Sequence, residues 1–151
     1  MISLAVTTIV IVGTLVGVEF AVAVFFNPMV VRLPVESSIA ARSDGARVLG
    51  KVMPFWYIGS LVLITGWAVL AWGQPASGPA LISAILFAVS VVMSILFLVP
   101  INSRSAKWDT EGTPDDWREQ STRWNRLHYI RVAVIVAGFA LAAIALALTA
   151  A

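Results

Sequence analysis

The sequence predicts an all-α integral membrane protein, a four-transmembrane-helix bundle with two longer loops on the cytoplasmic side. Three observations favour this fold class. The chain is 60% hydrophobic and only 12% charged, whereas soluble domains have about 25% charged residues. The apolar residues form four long stretches, and every basic residue lies on one side of those stretches. The lipid bilayer is therefore the expected partner of most of the surface.

Each apolar stretch is close to the ~20 residues that an α-helix needs to cross ~30 Å of hydrocarbon. None of them shows the two-residue alternation of transmembrane β-strands. The stretches run from Ile2 to Phe26, from Pro54 to Trp72, from Pro79 to Val99 and from Tyr129 to Ala151. We predict a single domain, residues 1–151, with membrane spans at about 2–27, 54–73, 79–99 and 120–150.

The first stretch has an alternative interpretation as a cleaved secretory signal, with Ala21-Val22-Ala23 as the cleavage pattern. It lacks a basic segment before its apolar part and carries Glu19 in its interior, which favours a retained helix.

The placement of basic residues predicts the topology. All ten Lys and Arg residues fall within or beside residues 28–53 and 100–128. Because short cytoplasmic loops are enriched in Lys and Arg, both segments should be cytoplasmic, with both termini exterior to the plasma membrane. The aromatic run Phe55-Trp56-Tyr57 lies at the same edge and is typical of an interfacial belt.

Composition also excludes several functions. The chain has no cysteine, which removes disulfides, thiolate-bound metals or haem, and CxxC redox chemistry. Nucleic-acid binding is not expected, because acidic residues accompany the basic ones and topology accounts for their placement.

Short motifs predict where the helices end and begin. Asn27-Pro28 and Pro100-Ile101-Asn102 are typical of helix ends, where asparagine caps loose backbone groups. Thr113-Pro114 followed by two acids is typical of a helix N-terminus, so the last helix should begin near Pro114. Residues 35–50 suit a separate short helix on the membrane surface.

Glu19 is the first candidate functional residue. It is a carboxylate about two helical turns inside its span, and charged groups in a bilayer normally pair, conduct or catalyse. A structural ion pair with a residue such as Arg131 is the alternative to a functional role.

The last helix supplies a stripe of polar and aromatic residues. Trp117, Ser121, Trp124, His128 and Arg131 follow one another at steps of four, three, four and three, which places them on one helical face. We expect His128 and Arg131 to lie at nearly the depth of Asn27 and Asn102. Together with Glu19 they would then converge at one end of the bundle, where helical bundles build pockets.

The order of these motifs resembles a known family. Asn27-Pro28 with Leu33-Pro34 after it, then Pro100-Ile101-Asn102, Trp108, and Trp124 through His128 to Arg131 are similar to the anthrone-oxygenase-like four-helix membrane family, across nearly the whole chain. The resemblance implies an oxidoreductase, a monooxygenase that converts anthrones to anthraquinones in aromatic polyketide pathways. Most members of that family have no known substrate.

The resemblance and the placement of the residues together predict a mechanism. His128 removes an acidic proton from a lipophilic anthrone- or hydroquinone-like substrate, and Arg131 with Asn102 stabilises the resulting anion. Glu19 orients His128, and the carbanion reacts with O2. The residues predicted to bind substrate are Asn27, Trp117 and Trp124. No cofactor is predicted, although a haem or a single metal at His128 remains open.

Two other functions remain open from the sequence. A small four-helix exporter would use Glu19 to exchange protons for lipophilic cations. An accessory subunit or scaffold would use the stripe on the last helix as a docking surface within a membrane complex. The sequence does not disclose the oligomeric state.

Overall fold

The computed structural model describes all 151 residues and confirms the all-α prediction. It contains no strand, and its seven α-helices are α1 (Ile2–Ala21), α2 (Asn27–Val31), α3 (Val35–Leu70), α4 (Ser77–Met93), α5 (Val99–Ser105), α6 (Trp108–Glu111) and α7 (Trp117–Ala150). Single turns of π-helix join α1 to α2 and α4 to α5; we name them π1 (Val22–Phe26) and π2 (Ser94–Leu98).

Four continuous rods result, and each is long and apolar enough to cross a membrane. α1 packs against α3 and α7, and α4 packs against the same two helices, so α1 lies diagonally opposite α4. Large apolar side chains cover the outside, including Phe55 and Trp72, which are 81% and 74% exposed. Because exposed groups of this kind are stable in lipid and not in water, the chain is an integral membrane protein.

The half of the bundle near the termini packs through small residues. Trp67 is completely buried among alanines from α1, α4 and α7. Gly138 in α7 allows similarly close approach, because a Cβ at that position would lie 3.0 Å from the Phe87 ring. Small residues at such contacts let membrane helices approach closely. This half contains no Asp, Glu, Lys, Arg or His, so the charged and imidazole side chains lie in the other half.

The prediction that helices end at Asn27-Pro28 and Pro100-Asn102 is wrong. The Asn27 N–H bonds the carbonyl of Val22, five residues earlier, and the Val99 N–H bonds that of Ser94. Each π turn therefore shifts the hydrogen-bond register immediately before a proline. Each proline then occupies the first turn of the following helix, where its missing N–H is not needed.

The predicted separate helix over residues 35–50 is also wrong, since α3 runs unbroken for 36 residues through Pro54. Ser43 and Ala46 are buried in this first part of α3, which packs against α5 and α6. Helices in proteins are stabilised mainly by such packing. Here that packing outweighs the preference of proline for a helix end.

The last helix begins at Trp117, three residues later than the Thr113-Pro114 pattern predicts. The Trp117 N–H bonds the Pro114 carbonyl in a turn. The Thr113 hydroxyl donates to the Trp108 carbonyl at 3.2 Å and caps no helix. We call the end of the bundle that contains α2, α5, α6 and the start of α7 the basic end, because it carries every basic residue except Arg131.

Candidate functional site

A buried ion pair joins the first and last rods. Arg131 Nη2 donates to Glu19 Oε2 at 2.7 Å, and the two residues are only 8% and 2% exposed. Arg131 Nη1 donates to the Ser94 hydroxyl in π2 at 3.0 Å. The Ser94 hydroxyl in turn donates to the Ser90 carbonyl. Side chains from three rods therefore meet at Arg131.

His128 lies against this pair and is 1% exposed. Its Nδ1 lies 3.1 Å from Arg131 Nη2 and 3.3 Å from Glu19 Oε2. Its Nε2 lies 3.3 Å from the Glu19 backbone carbonyl. Because a guanidinium only donates, the contact with Arg131 requires Nδ1 to accept, and Nε2 then carries the hydrogen and donates to the carbonyl. Both ring nitrogens thus have protein partners.

Two residues of α7 bind groups in the π turns, whose extra residue changes the direction in which those groups point. The Tyr129 hydroxyl donates to the Ala23 carbonyl in π1 at 2.7 Å, one residue along α7 from His128. Arg131 reaches π2 through Ser94. Neighbouring residues of α7 therefore bind both π turns, which fixes the rotation of α7 relative to α1 and α4.

Trp124 stacks on His128, with ring centroids 4.8 Å apart and planes inclined by 12°. The Trp124 ring therefore packs against the side of the His128 ring that faces the basic end and limits its rotation. The indole N–H of Trp124 is buried and has no partner, so it is available to a bound molecule.

Sequence reasoning missed Tyr57, which it assigned to the aromatic belt. Tyr57 is 4% exposed and lies beneath Arg131, with 5.1 Å between the guanidinium carbon and the ring centroid. Its hydroxyl has no hydrogen-bond partner. The 3–4–3 spacing of the buried residues Tyr57, Ser60, Ile64 and Trp67 on α3 is the signal that would have separated it from its exposed neighbours.

A cavity of about 540 Å³ connects these groups. It extends from the ion pair toward the basic end, between α1, α3, α5 and α7. The predicted site residues that line it are Glu19, Asn27, Asn102, Trp124, His128 and Arg131, and it is also lined by Arg42, Tyr57, Ser94 and Ser121. Its volume lies in the range of small-molecule sites.

The two asparagines lie nearer the basic end than predicted. His128 and Arg131 are level with Glu19 and Ser94, whereas Asn27 and Asn102 follow those residues by about two helical turns. Asn102 Nδ2 donates to the Ala46 carbonyl at 3.1 Å and ties α5 to α3. The amide nitrogen of Asn27 is buried without a partner. Asn27 thus has free hydrogen-bonding capacity, and Asn102 is partly engaged.

Trp117 does not join the other predicted residues. It lies outside the cavity, edge-on to Trp108 at 6.5 Å between ring centroids, and Arg118 covers its face. The start of α7 extends past the cavity, so the stripe on that helix contributes from Ser121 onward.

The donor set around His128 is poor for a metal ion. The chain contains no group of three or more His, Cys, Asp or Glu side chains arranged to hold one. Metal sites of iron, copper or zinc generally use at least three such ligands. Axial ligation of a haem would require His128 to give up one of its protein contacts.

Comparison with known proteins identifies the family. The family model described as anthrone oxygenase matches residues 51–141, which is more than half of the chain. This chain belongs to the anthrone oxygenase family. No curated protein and no solved structure gives a significant match.

The matched part of this anthrone oxygenase family member begins within α3 and ends within α7. It contains Tyr57, Ser94, Asn102 and the α7 residues of the site. Glu19 and Asn27 precede it. The family match therefore does not include the first rod, and the contact between Glu19 and Arg131 is known from the structure alone.

Proposed function

We propose that the protein is a membrane-embedded oxidoreductase that oxidises a lipophilic aromatic substrate, anthrone- or hydroquinone-like, with O2. The observation that carries the proposal is the Glu19–Arg131–His128 cluster, which borders a cavity of about 540 Å³ between the rods of the bundle. A flat substrate would enter that cavity and lie against Trp124 and Tyr57.

We assign the base to Glu19 and a positioning role to His128, which reverses the roles predicted from sequence. Both nitrogens of the imidazole contact protein atoms, whereas Glu19 Oε1 forms no hydrogen bond. An unpaired carboxylate oxygen beside a cavity is able to accept a substrate proton. His128 holds the backbone of α1 through its Nε2–H and accepts from Arg131, which in turn binds the Glu19 carboxylate.

Arg131 gives this proton transfer a favourable charge balance. Before transfer, its guanidinium neutralises the Glu19 carboxylate. After transfer, Glu19 is neutral and the guanidinium neutralises the aryl-oxide form of the substrate anion. The buried site therefore holds one cation and one anion throughout, which avoids an unpaired charge in low dielectric. Tyr57 OH and Arg131 Nε, neither of which has a protein partner, supply further donors to the anion.

The oxidation itself uses O2, which accepts two electrons when the peroxide forms and two more when its O–O bond breaks. The substrate C–H bond breaks, its proton goes to Glu19, and the carbon forms a bond to oxygen. The resulting peroxide anion takes the proton back from Glu19 and becomes a hydroperoxide. Glu19 then removes the second proton from the same carbon as the O–O bond breaks, and the departing hydroxide takes up that proton, which yields a ketone and water. An anthrone plus O2 thus gives an anthraquinone plus water, and no metal is needed for the carbanion to react.

The ion pair also distinguishes this function from an exporter. A glutamate that exchanges protons for lipophilic cations must be open to those cations, whereas Glu19 already has a cationic partner at 2.7 Å. No observation in the structure favours the exporter or a scaffold over the oxidoreductase.

The test is oxygen uptake by purified protein in nanodiscs supplied with anthrone, with anthraquinone followed by absorbance. We expect oxidation faster than in empty nanodiscs, one oxygen atom of ¹⁸O2 in the product, and a slower reaction with the deuterated methylene. Glu19→Gln should abolish the acceleration, whereas His128→Gln, which only misplaces the base, should reduce it by about 10²-fold. Oxidation no faster than in empty nanodiscs would refute the proposal.

We further propose that the basic end faces the cytoplasm and that both termini lie outside the plasma membrane. The excess of Lys and Arg at that end supports this orientation. Because the chain has no cysteine, Gln74→Cys and Asp44→Cys provide single labels on opposite ends. A membrane-impermeant maleimide added to intact cells should label only the first, and the reverse pattern would invert the topology.

A further inference from the structure

The two ends of the cavity differ in charge. At the inner end Glu19 neutralises Arg131. At the basic end Arg42 lines the cavity, and it forms neither an ion pair nor a hydrogen bond with any other residue. The neighbouring Arg47, in contrast, is paired with Asp109 through two hydrogen bonds of 2.8 and 2.9 Å. The cavity therefore has one uncompensated positive charge, and it lies at the basic end.

Unpartnered hydrogen-bond donors accompany that charge. Ser121 is 5% exposed, lines the cavity, and has no partner for its hydroxyl. The Nε of Arg42 and the indole N–H of Trp124 are likewise buried and unpaired. Buried polar groups without partners are unfavourable, so such a set is typical of a site that a ligand completes. Guanidinium and indole nitrogens only donate, so the ligand must present acceptors.

The spacing on α7 sets the size of that ligand. Ser121 and Arg131 both line the cavity and are ten residues apart, which corresponds to ~15 Å along a helix axis. Because a long side chain on a helix points back toward the N-terminus, Arg131 shortens this gap, and a fused three-ring molecule with one substituent and a hydrogen bond at each end spans what is left. One molecule thus contacts both ends, with its reacting carbon near Glu19.

We propose that Arg42 and Ser121 form a second subsite, which binds a carboxylate substituent on the aromatic substrate. A single unpaired guanidinium matches a single negative charge, whereas a phosphate dianion would leave one charge uncompensated. The carboxylate accepts from Arg42 and Ser121 in charge-assisted hydrogen bonds. The placement of the reacting end rests on the proposed function, but binding at Arg42 does not depend on turnover.

The test compares two already oxidised, isosteric ligands by calorimetric titration of the protein in zwitterionic nanodiscs. Anthraquinone-2-carboxylate should bind about tenfold or more tightly than anthraquinone-2-carboxamide. Arg42→Gln should reduce that ratio to near one, and an unfolding temperature close to that of the natural chain should show that the variant is folded. Arg42→Lys should retain part of the preference.

The matched control is Arg123→Gln, which removes an exposed positive charge from the same end of the bundle outside the cavity. It should leave the ratio unchanged, and an equal loss with Arg123→Gln would attribute the preference to surface charge. Equal affinity of the natural chain for the two ligands would overturn the subsite. So would a preference that disappears when phosphatidylglycerol is added, because a lipid headgroup would then occupy Arg42.

These outcomes separate the two proposals. Carboxylate-selective binding without any oxygen uptake would retain the subsite and reject the oxidation chemistry. Oxygen uptake that is indifferent to Arg42→Gln and to the carboxylate would reject the subsite alone.

Discussion

Arg131 on α7 and Glu19 on α1 form a hydrogen-bonded ion pair of 2.7 Å, with side chains only 10% and 3% accessible. The pair connects residues near opposite ends of the chain and lies at the inner end of the cavity. It is at once the main polar tie between the first and last rods and the centre of the candidate site. Removing the ion pair should therefore lower both the stability of the fold and the rate of substrate oxidation, and the two effects can be measured independently.

Glu19→Gln should destabilise the protein by ~3–5 kcal/mol, because it leaves the Arg131 charge buried without a counterion. The double variant Glu19→Gln/Arg131→Gln should recover much of that stability, since no charge then remains unpaired. Neither variant should oxidise substrate. Thermal unfolding in detergent, followed by tryptophan fluorescence, provides the measurement, and a double variant no more stable than Glu19→Gln would contradict the argument.

Trp124→Leu should lower the turnover rate more than it lowers stability. The substitution removes the 4.8 Å stack that holds His128, and aromatic pairs contribute ~0.5–1.5 kcal/mol beyond burial. Trp124→Phe keeps a ring against the imidazole and should retain most of the rate. Trp72→Leu serves as the control because Trp72 is 74% exposed and remote from the cavity. Equal rates for Trp124→Leu and Trp124→Phe would show that the stack has no catalytic importance.

Gly50→Ala should impair the site although alanine favours helix. A Cβ at Gly50 would lie 3.1 Å from Asn102 Nδ2, which bonds the Ala46 carbonyl. The displaced amide would loosen α5 from α3 and disturb the cavity wall. Gly59→Ala is the matched control on the same helix, because no atom lies within 4 Å of its added Cβ.

The control should be neutral or stabilising by up to ~1 kcal/mol. Substrate affinity and unfolding temperature of the two variants, measured side by side, check this contrast. A Gly50→Ala protein that matches Gly59→Ala in both would place Asn102 outside any functional role.

The contact between Asp109 and Arg47 should weaken only in acid. Hydrogen bonds from Arg47 hold the pKa of Asp109 below its usual range. A carboxyl whose folded pKa is depressed stabilises the folded state above its unfolded pKa of ~3.9 and loses that contribution as the pH falls through the folded value. The tie between α3 and α6 is therefore complete at neutral pH.

Hydrogen exchange over residues 106–113, corrected for intrinsic rates, should rise only below about pH 4 in the natural chain. In Asp109→Asn it should be raised at every pH, because the charge is absent throughout. Asp115→Asn removes an exposed acid that forms no ion pair and should change nothing. Exchange in Asp109→Asn that retains the acid transition would assign it to another group.

Much of the architecture follows from local pattern. Four apolar stretches of membrane length predicted four helical rods, and the steps of three and four placed Ser121, Trp124, His128 and Arg131 on one face of α7. All four line the cavity in the structure. The sequence also raised Arg131 as a partner for Glu19. These features can be predicted from the sequence because the helical repeat and the length needed to cross a bilayer depend only on residues close together in the chain.

The helix boundaries were less predictable. Pro28 and Pro100 indicated helix ends, and the second apolar stretch was placed from Pro54 onward, yet each rod continues through its proline. Two of them follow a π turn, and the third lies in a helix whose first turns pack against α5 and α6. Tertiary contacts decided these cases, because a local preference of a few kcal/mol is smaller than the packing of a whole helix face.

The sequence by itself determined the membrane class, the four rods and the family, since these depend on composition, period and motif order. Only the tertiary structure decided that Tyr57 faces Arg131 while Phe55 faces outward, that Trp117 stays outside the cavity, and that Arg42 has no counterion. The physical reason is that side-chain contacts depend on the rotation and depth of each rod relative to the others. Packing between distant residues fixes that rotation and depth, and no single segment encodes them.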